Sequence, residues 1–279
     1  PPPPPPPGPI GVFDSGYGGL TILDKIRGLM PEYDYIYLGD SARCPYGPRS
    51  FEVVYEFTLQ AVSKLFELGC PLVILACNTA SAKALRTIQQ INLPVIDATR
   101  RVLGVIRPTA ECIGEITRSR HVGILATAGT IKSESYLLEI HKLSPDIVVT
   151  GEACPMWVSL VENNEYQSEG ADYFVKQHIN RLLDKDPMID TIILGCTHYP
   201  LLLDKIRQFT PGHIRIIAQG EYVARSLQDY LNRHPEMDAR CEKGGKCRFL
   251  TTESENKFEE SASIFLGRQD IKVESIALE

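Results

Sequence analysis

Two cysteines occupy matching places in two stretches of similar design. Leu72-Val-Ile-Leu-Ala-Cys77-Asn-Thr-Ala-Ser81 and Thr191-Ile-Ile-Leu-Gly-Cys196-Thr-His-Tyr-Pro200 each pass from a short apolar run through a small residue to a thiol, then to hydroxyl or amide side chains. A thiol has a reference pKa of about 8.5. At the junction of a strand and a helix it feels the positive helix end, which favours thiolate. Such a group removes a proton as thiolate and returns one as thiol. One cysteine of this kind is an ordinary nucleophile candidate, whereas two at equivalent positions fit a reaction with two equivalent ends. Proton exchange at a stereocentre has that form: one base acts on each face of the carbon, and the roles swap for the opposite enantiomer.

Other groups stand where they can tune these thiols. Asp14 closes the apolar run that begins at Ile10 and can accept or relay a proton near Cys77; His198, two residues after Cys196, can do the same at the other end. The turn Ser15-Gly-Tyr-Gly-Gly19 opens a helix with free backbone N–H groups, which suits an anion. It lacks the Lys of a P-loop and the full dinucleotide fingerprint, so a nucleotide is a poor fit. Ser15, Asn78, Thr79 and Thr197 match the carboxylates and ammonium of an amino acid better.

The elements that must carry these residues are legible as alternating short apolar runs and amphipathic stretches. Ile10–Phe13, Tyr35–Leu38, Leu72–Ala76, Val122–Ala126, Ile147–Val149, Thr191–Leu194 and Ile214–Ile217 have the length and low charge of buried parallel strands. Phe51, Val54, Tyr55, Thr58, Val62, Leu65 and Phe66 recur at helical spacing, with Ser50 near the start. Weaker helical signals lie at Leu137, Leu138 and His141, and at Tyr173, Phe174, Gln177 and Leu182. Strands alternating with helices give βαβ units, whose ligands gather beyond the carboxyl ends of the strands. Upstream of each cysteine run lies another strand ending in a small-residue turn, Gly11–Gly19 before the first and Val122–Thr130 before the second. The chain therefore reads as an α/β protein whose two halves are degenerate copies, each presenting one cysteine to a shared cleft.

Composition narrows the alternatives. With 29 basic and 35 acidic residues among 279, the net charge is −6, which argues against general binding to nucleic acid or anionic lipid. The longest apolar stretch without charge, 69–82, falls short of the roughly 20 residues of a membrane span. Eight cysteines in this length are too few for a disulfide scaffold, and cytosol, where thiols stay reduced, is the expected compartment. Cys241 and Cys247 enclose five residues but have no second close ligand pair, so a solvent-exposed hairpin is expected there and no metal. Cys44 is expected to line the cleft, and Cys70, Cys112 and Cys154 to be packing residues. The proline run at residues 1–7, with Gly8 and Pro9, is expected to form a disordered leader.

The motifs Asp14-Ser-Gly-Tyr-Gly-Gly-Leu20, Pro45-Tyr-Gly47, Ala76-Cys-Asn-Thr-Ala-Ser81 and Gly195-Cys-Thr-His-Tyr-Pro200 resemble the glutamate racemases, a cofactor-independent branch of the aspartate/glutamate racemase superfamily. The resemblance runs from about Ile10 to the C-terminal region. It implies two α/β domains with mainly parallel sheets flanked by helices, related by pseudo-twofold symmetry, with the active site at their interface. It also implies a first domain of 10–100 completed by 218–279, and a second of 101–217. By the same resemblance Cys77 acts on D-glutamate and Cys196 on L-glutamate; Asp14 assists Cys77, and His198 with Glu162 assists Cys196. Asp14-Ser15, Tyr46-Gly47, Asn78-Thr79 and Thr197-His198 match substrate-contacting positions, and Asp40 a further acidic position. A homodimer, no cofactor, and supply of D-glutamate for peptidoglycan are implied too. Three departures stand out: Tyr17 for the usual valine, Arg107 for glutamate, and Gln219-Gly220 for an Asp-Ser-like pair. Three other readings remain open at this point: aspartate racemisation, a Cys-His hydrolase or amidotransferase acting through Cys196, and a non-catalytic module binding acidic amino acids.

Overall fold

Neighbouring residues along the central strands pack to opposite sides, and both sides are apolar. In β1 (Ile10–Asp14), Ile10 and Val12 join one cluster and Phe13 another; in β3 (Leu72–Leu75), Leu72 and Ile74 face the first and Val73 and Leu75 the second. A sheet covered by helices on both faces demands such continuous apolar runs. The computed structural model describes residues 3–267 and 271–279, and its strands form two sheets. The first has the order β10-β9-β2-β1-β3-β4, with β2 at Tyr35–Gly39, β4 at Arg101–Leu103, β9 at Cys247–Thr251 and β10 at Val273–Ser275. The second has the order β6-β5-β7-β8, with β5 at His121–Ala126, β6 at Val148–Ala153, β7 at Thr191–Gly195 and β8 at Arg215–Ala218. Every strand pairing in both sheets is parallel.

The run β2-β1-β3-β4 has the same connectivity as β6-β5-β7-β8, which gives the internal repeat a geometric meaning. Cys77 follows β3 and Cys196 follows β7, its counterpart. The helix expected around Phe51–Phe66 spans Phe51–Glu67, with Ser50 Oγ accepting from Val53 N at 3.3 Å. The weaker signals correspond to helices Ser135–Leu143 and Glu169–Lys185.

Several expectations need correction. The boundary placed at residue 101 falls inside the first sheet, because β4 hydrogen-bonds to β3. The chain returns to this sheet through β9, which pairs with β2. Cys241 and Cys247 do not flank a hairpin: Cys247 opens the parallel strand β9, and the loop before it is held by Asp34, whose Oδ1 accepts from Gly244 N and Lys246 N, both at 2.9 Å. Pro3–Pro7 are exposed and outside helices and strands, but the leader is anchored from Gly8, which is buried and bridges Cys241. Gly8 N donates to Arg240 O at 2.9 Å; Pro1 and Pro2 lie outside the described residues. Among the described residues, no helix is long and apolar enough to cross a membrane.

Candidate active site

The carboxyl ends of the two sheets meet at a cavity of about 170 Å³. The first sheet contributes Ser15, Cys44, Tyr46, Gly47, Cys77, Asn78 and Thr79; the second contributes Thr127, Cys154, Val158, Cys196, Thr197 and His198. Nine sequence-derived site residues thus line one cavity, while Asp14 and Glu162 stand behind it and reach it through others.

The two thiols have different surroundings. Cys77 caps the short helix Asn78–Lys83, with Ala80 N donating to its Sγ at 3.4 Å, and its own S–H points at Ser15 Oγ, 3.6 Å away. The helix field was expected to favour thiolate, but the outcome is the reverse. Burial pushes the Cys77 thiol up to about 12, the negative charge of Asp14 adds to the rise, and the Ala80 and Ser15 contacts only partly offset it. Cys196 does not begin a helix: a turn and a short 3₁₀ segment, Tyr199–Leu202, follow it. Its Sγ lies 3.8 Å from His198 Nδ1, while His198 Nε2 bonds to Glu162. Burial works against a charged His198, yet the contacts with Cys196 and Glu162 outweigh it and hold the imidazole well above its usual pKa. His198 thus has Cys196 Sγ at one ring nitrogen and the Glu162 carboxylate at the other.

Asp14 is 1% exposed; its Oδ2 accepts from Gly19 N at 2.8 Å and Gly16 N at 3.2 Å, and its Oδ1 has no partner among the described residues. Burial raises its pKa, opposed by the nearby His198 charge and by the backbone N–H bonds. The turn after β1 must approach very closely. A Cβ on Gly18 would fall 2.4 Å from Thr197 Oγ1 and 2.7 Å from His198 Nδ1, and one on Gly19 2.5 Å from Asp14 Cβ. Only glycine fits at both.

Asp40 is not a cavity residue. Its carboxylate accepts from Arg43 Nε at 2.7 Å, Thr252 Oγ1 at 2.8 Å and the Tyr46 hydroxyl, so it anchors the Pro45-Tyr46-Gly47 loop. Tyr17 is buried against Phe258 in the core of the first sheet and does not reach the cleft, while Arg107 is a surface residue paired with Glu111. Cys44 lines the cavity as expected. Cys154, expected to be a packing residue, lines it too, because it follows β6 at the same sheet end. Sequence reasoning also passed over Thr127, which caps the helix Ala128–Ser133 and lies 3.0 Å from Thr79 Oγ1 across the cleft. The repeat held the signal: Thr127 follows β5 as Ser15 follows β1.

A pair of parallel α/β sheets that each deliver one thiol from an equivalent strand end into a shared cavity is an arrangement able to carry acid–base chemistry from two sides. Comparison with known proteins supplies the family. The sequence matches the Asp/Glu/Hydantoin racemase family over residues 21–227, and the chain belongs to that family. It is 38% identical over 270 residues to a glutamate racemase of Ruegeria sp., covering 93% of this chain and 97% of the relative. With a glutamate racemase of Bacillus cereus it shares 39% over 271 residues, covering 97% of each. Among solved structures, a glutamate racemase of Bacillus anthracis superposes with a TM-score of 0.88 at 36% identity, covering 97% of this chain and 98% of that one. One from Francisella tularensis, in complex with D-glutamate, gives 0.84 at 31%, with 97% and 98% covered.

Proposed function

We propose that the protein interconverts L- and D-glutamate by two-base proton transfer at the α-carbon, without a cofactor. The observation that carries this is the convergence of Cys77 and Cys196, from equivalent strands of two like-ordered sheets, on one cavity. A Cys-His hydrolase leaves Cys77 without a task, and a binding module leaves both thiols so.

The asymmetry of the thiols sets the resting state. His198, between Cys196 and Glu162, is placed to exchange a proton with Cys196, and we assign this end to the α-proton of L-glutamate. Cys77, held as thiol, delivers its proton to the opposite face and yields D-glutamate. For D-glutamate the charges must reverse: Cys77 gives up its proton, for which Asp14 with its unpartnered Oδ1 is an acceptor, and Cys196 receives one by way of His198. Ser15, Asn78, Thr79 and Thr197 supply donors for the carboxylates, and Tyr46-Gly47 forms a wall of the cleft, the tyrosine hydroxyl being engaged by Asp40. Around the cleft we infer two units, one carrying the first sheet and the C-terminal return, the other the second sheet. The family resemblance supports a homodimer working in the cytoplasm and supplying D-glutamate for peptidoglycan.

Polarimetry tests this reading. Either pure enantiomer of glutamate, without added cofactor, should drift to zero rotation, and Cys77→Ala or Cys196→Ala alone should stop the drift. Full turnover in either variant would reject the two-base assignment.

A further inference from the structure

We infer that Gln219 is a positioning residue that fixes the orientation of the Asn78 amide and thereby the affinity for substrate carboxylate; this rests on the glutamate reading above. Gln219 follows β8, 3% exposed, at the start of the helix Gly220–Arg233, far in sequence from the groups it touches. Asn78 Nδ2 donates to Gln219 Oε1 at 2.8 Å, and Gln219 Nε2 donates back to Asn78 Oδ1 at 3.1 Å. The same Nε2 hydrogen is shared with the Tyr136 hydroxyl, and that hydroxyl donates to Asn78 Oδ1 at 2.5 Å. The second Nε2 hydrogen reaches Thr109 Oγ1 at 3.0 Å, and Thr109 in turn donates to Val105 O at 2.9 Å.

These bonds run head to tail: Asn78 to Gln219, Gln219 to Tyr136, Tyr136 to Asn78. Each donor polarises the next, and within the ring every contact pairs a donor with an acceptor. The sense of the ring is set where Gln219 meets Thr109 and Val105: the Thr109 hydroxyl donates to Val105 O, so Gln219 must turn its Nε2 toward Thr109 Oγ1 at 3.0 Å and Val105 O at 3.5 Å, and the Asn78 amide is oriented to match. Its Oδ1 is turned inward with two donors, and one Nδ2 hydrogen remains outside the ring on a residue that lines the cleft. A buried donor in a cavity beside two thiols suits a carboxylate; an amide turned the other way would present an oxygen and repel it. The ring also ties the helix carrying Cys77's neighbour to Tyr136, Thr109 and Gln219, all from elements that follow β4, so it braces the two sides of the cavity against each other. Tyr136 touches Asn78 Oδ1 directly, but a hydroxyl can donate or accept and so does not choose which end of the amide faces it; the amide at 219, bonded to both ends of Asn78, does.

Calorimetric binding of D-glutamate to a Cys77→Ala/Cys196→Ala parent, which cannot turn over, isolates the effect. Adding Gln219→Met, of similar volume but without donor or acceptor, should weaken binding by roughly tenfold, the usual scale for one hydrogen bond to a charged group. Gln219→Glu keeps the acceptor for Asn78 Nδ2 but loses the return donor, and should fall between. In a parent that also carries Asn78→Ala, Gln219→Met should cost nothing further, which a merely structural role would not produce. Unchanged affinity in Gln219→Met and Gln219→Glu, or equal losses with and without Asn78, overturns the positioning role while the glutamate reading stands. A parent that binds neither enantiomer, alongside a wild-type protein that racemises neither, overturns both.

Discussion

Adding a single methyl group at Gly18 should disable the enzyme while leaving it folded. A Cβ there would lie 2.4 Å from Thr197 Oγ1 and 2.7 Å from His198 Nδ1. Reaching ordinary van der Waals contact requires a displacement of roughly 1 Å at the hydroxyl and roughly 0.7 Å at the ring. His198 Nδ1 is the atom that faces Cys196 Sγ, so the displacement falls on the proton-transfer geometry itself. A misplacement of about 1 Å at reacting groups costs on the order of 100-fold in rate, or about 2.7 kcal/mol of barrier. Gly18→Ala should therefore lower kcat/KM about 100-fold by circular dichroism of glutamate. Because the equilibrium constant of racemisation is unity, the loss must be equal in both directions. Gly28→Ala is the control: among the described residues, nothing beyond its own helix backbone lies within 4 Å of an added Cβ, and the site is on an exposed turn of the helix Leu20–Leu29. It should leave activity unchanged and raise stability by about 0.5–1 kcal/mol. A folded Gly18→Ala within threefold of wild type would refute the close approach on which the site is built.

Other expectations follow from the same groups. Burial raises the Asp14 pKa, so its ionisation opposes folding: the protein loses stability as pH rises from the unfolded carboxyl value through the folded one. Asp14→Asn should be more stable than wild type at neutral pH, equal to it in acid where both are uncharged, and inactive; denaturant melts at several pH values check this. Asp190 is the opposite case. Burial raises its pKa, but bonds from Ser119 N, Thr117 Oγ1 and Arg118 N outweigh that and hold it well below the usual carboxylate range. Its stabilisation is present above the unfolded pKa and lost as pH falls through the folded one, so Asp190→Asn should cost about 1.5–3 kcal/mol at pH 7 and little in strong acid. Finally, with Cys77 pushed up to about 12, Cys77→Ser should leave thiolate absorbance near 240 nm unchanged at pH 8. A fall equivalent to one thiolate would contradict the resting state described here.

The parts of the fold legible in the sequence were those whose physics is uniform along a segment. β1, β2, β3, β5 and β7 are central, apolar on both faces, and read as continuous runs. The edge strand β8 was legible as Ile214–Ile217, but β4, Arg-Val-Leu with Arg101 exposed, and β10, with one buried residue, escaped, as did the interior strand β9, whose short run Cys-Arg-Phe-Leu-Thr carries a charge. β6 extends past the expected Val149 through Thr150-Gly151-Glu152, polar because it is an edge and because Glu152 pairs with His178 and Lys185. The site residues were legible from their repeat, but the state of Cys77 was not, since sequence shows the helix field and hides the depth of burial that overcomes it. Gln219 was visible only as a departure. Its partners Asn78, Thr109 and Tyr136 lie 83 to 141 residues away in the chain, a distance over which no local pattern operates.

Isotope tracing tests the two-base claim most directly. Protiated L-glutamate is incubated with the enzyme in deuterium oxide, and the Cα hydrogen of each enantiomer is measured at less than a tenth of the way to equilibrium. With Cys196 taking the proton and Cys77 supplying another, the D-glutamate formed should carry solvent deuterium while the remaining L-glutamate stays protiated. Starting from D-glutamate the pattern should invert. Deuterium appearing equally fast in the unreacted enantiomer, or D-glutamate that retains the original proton, would contradict the account.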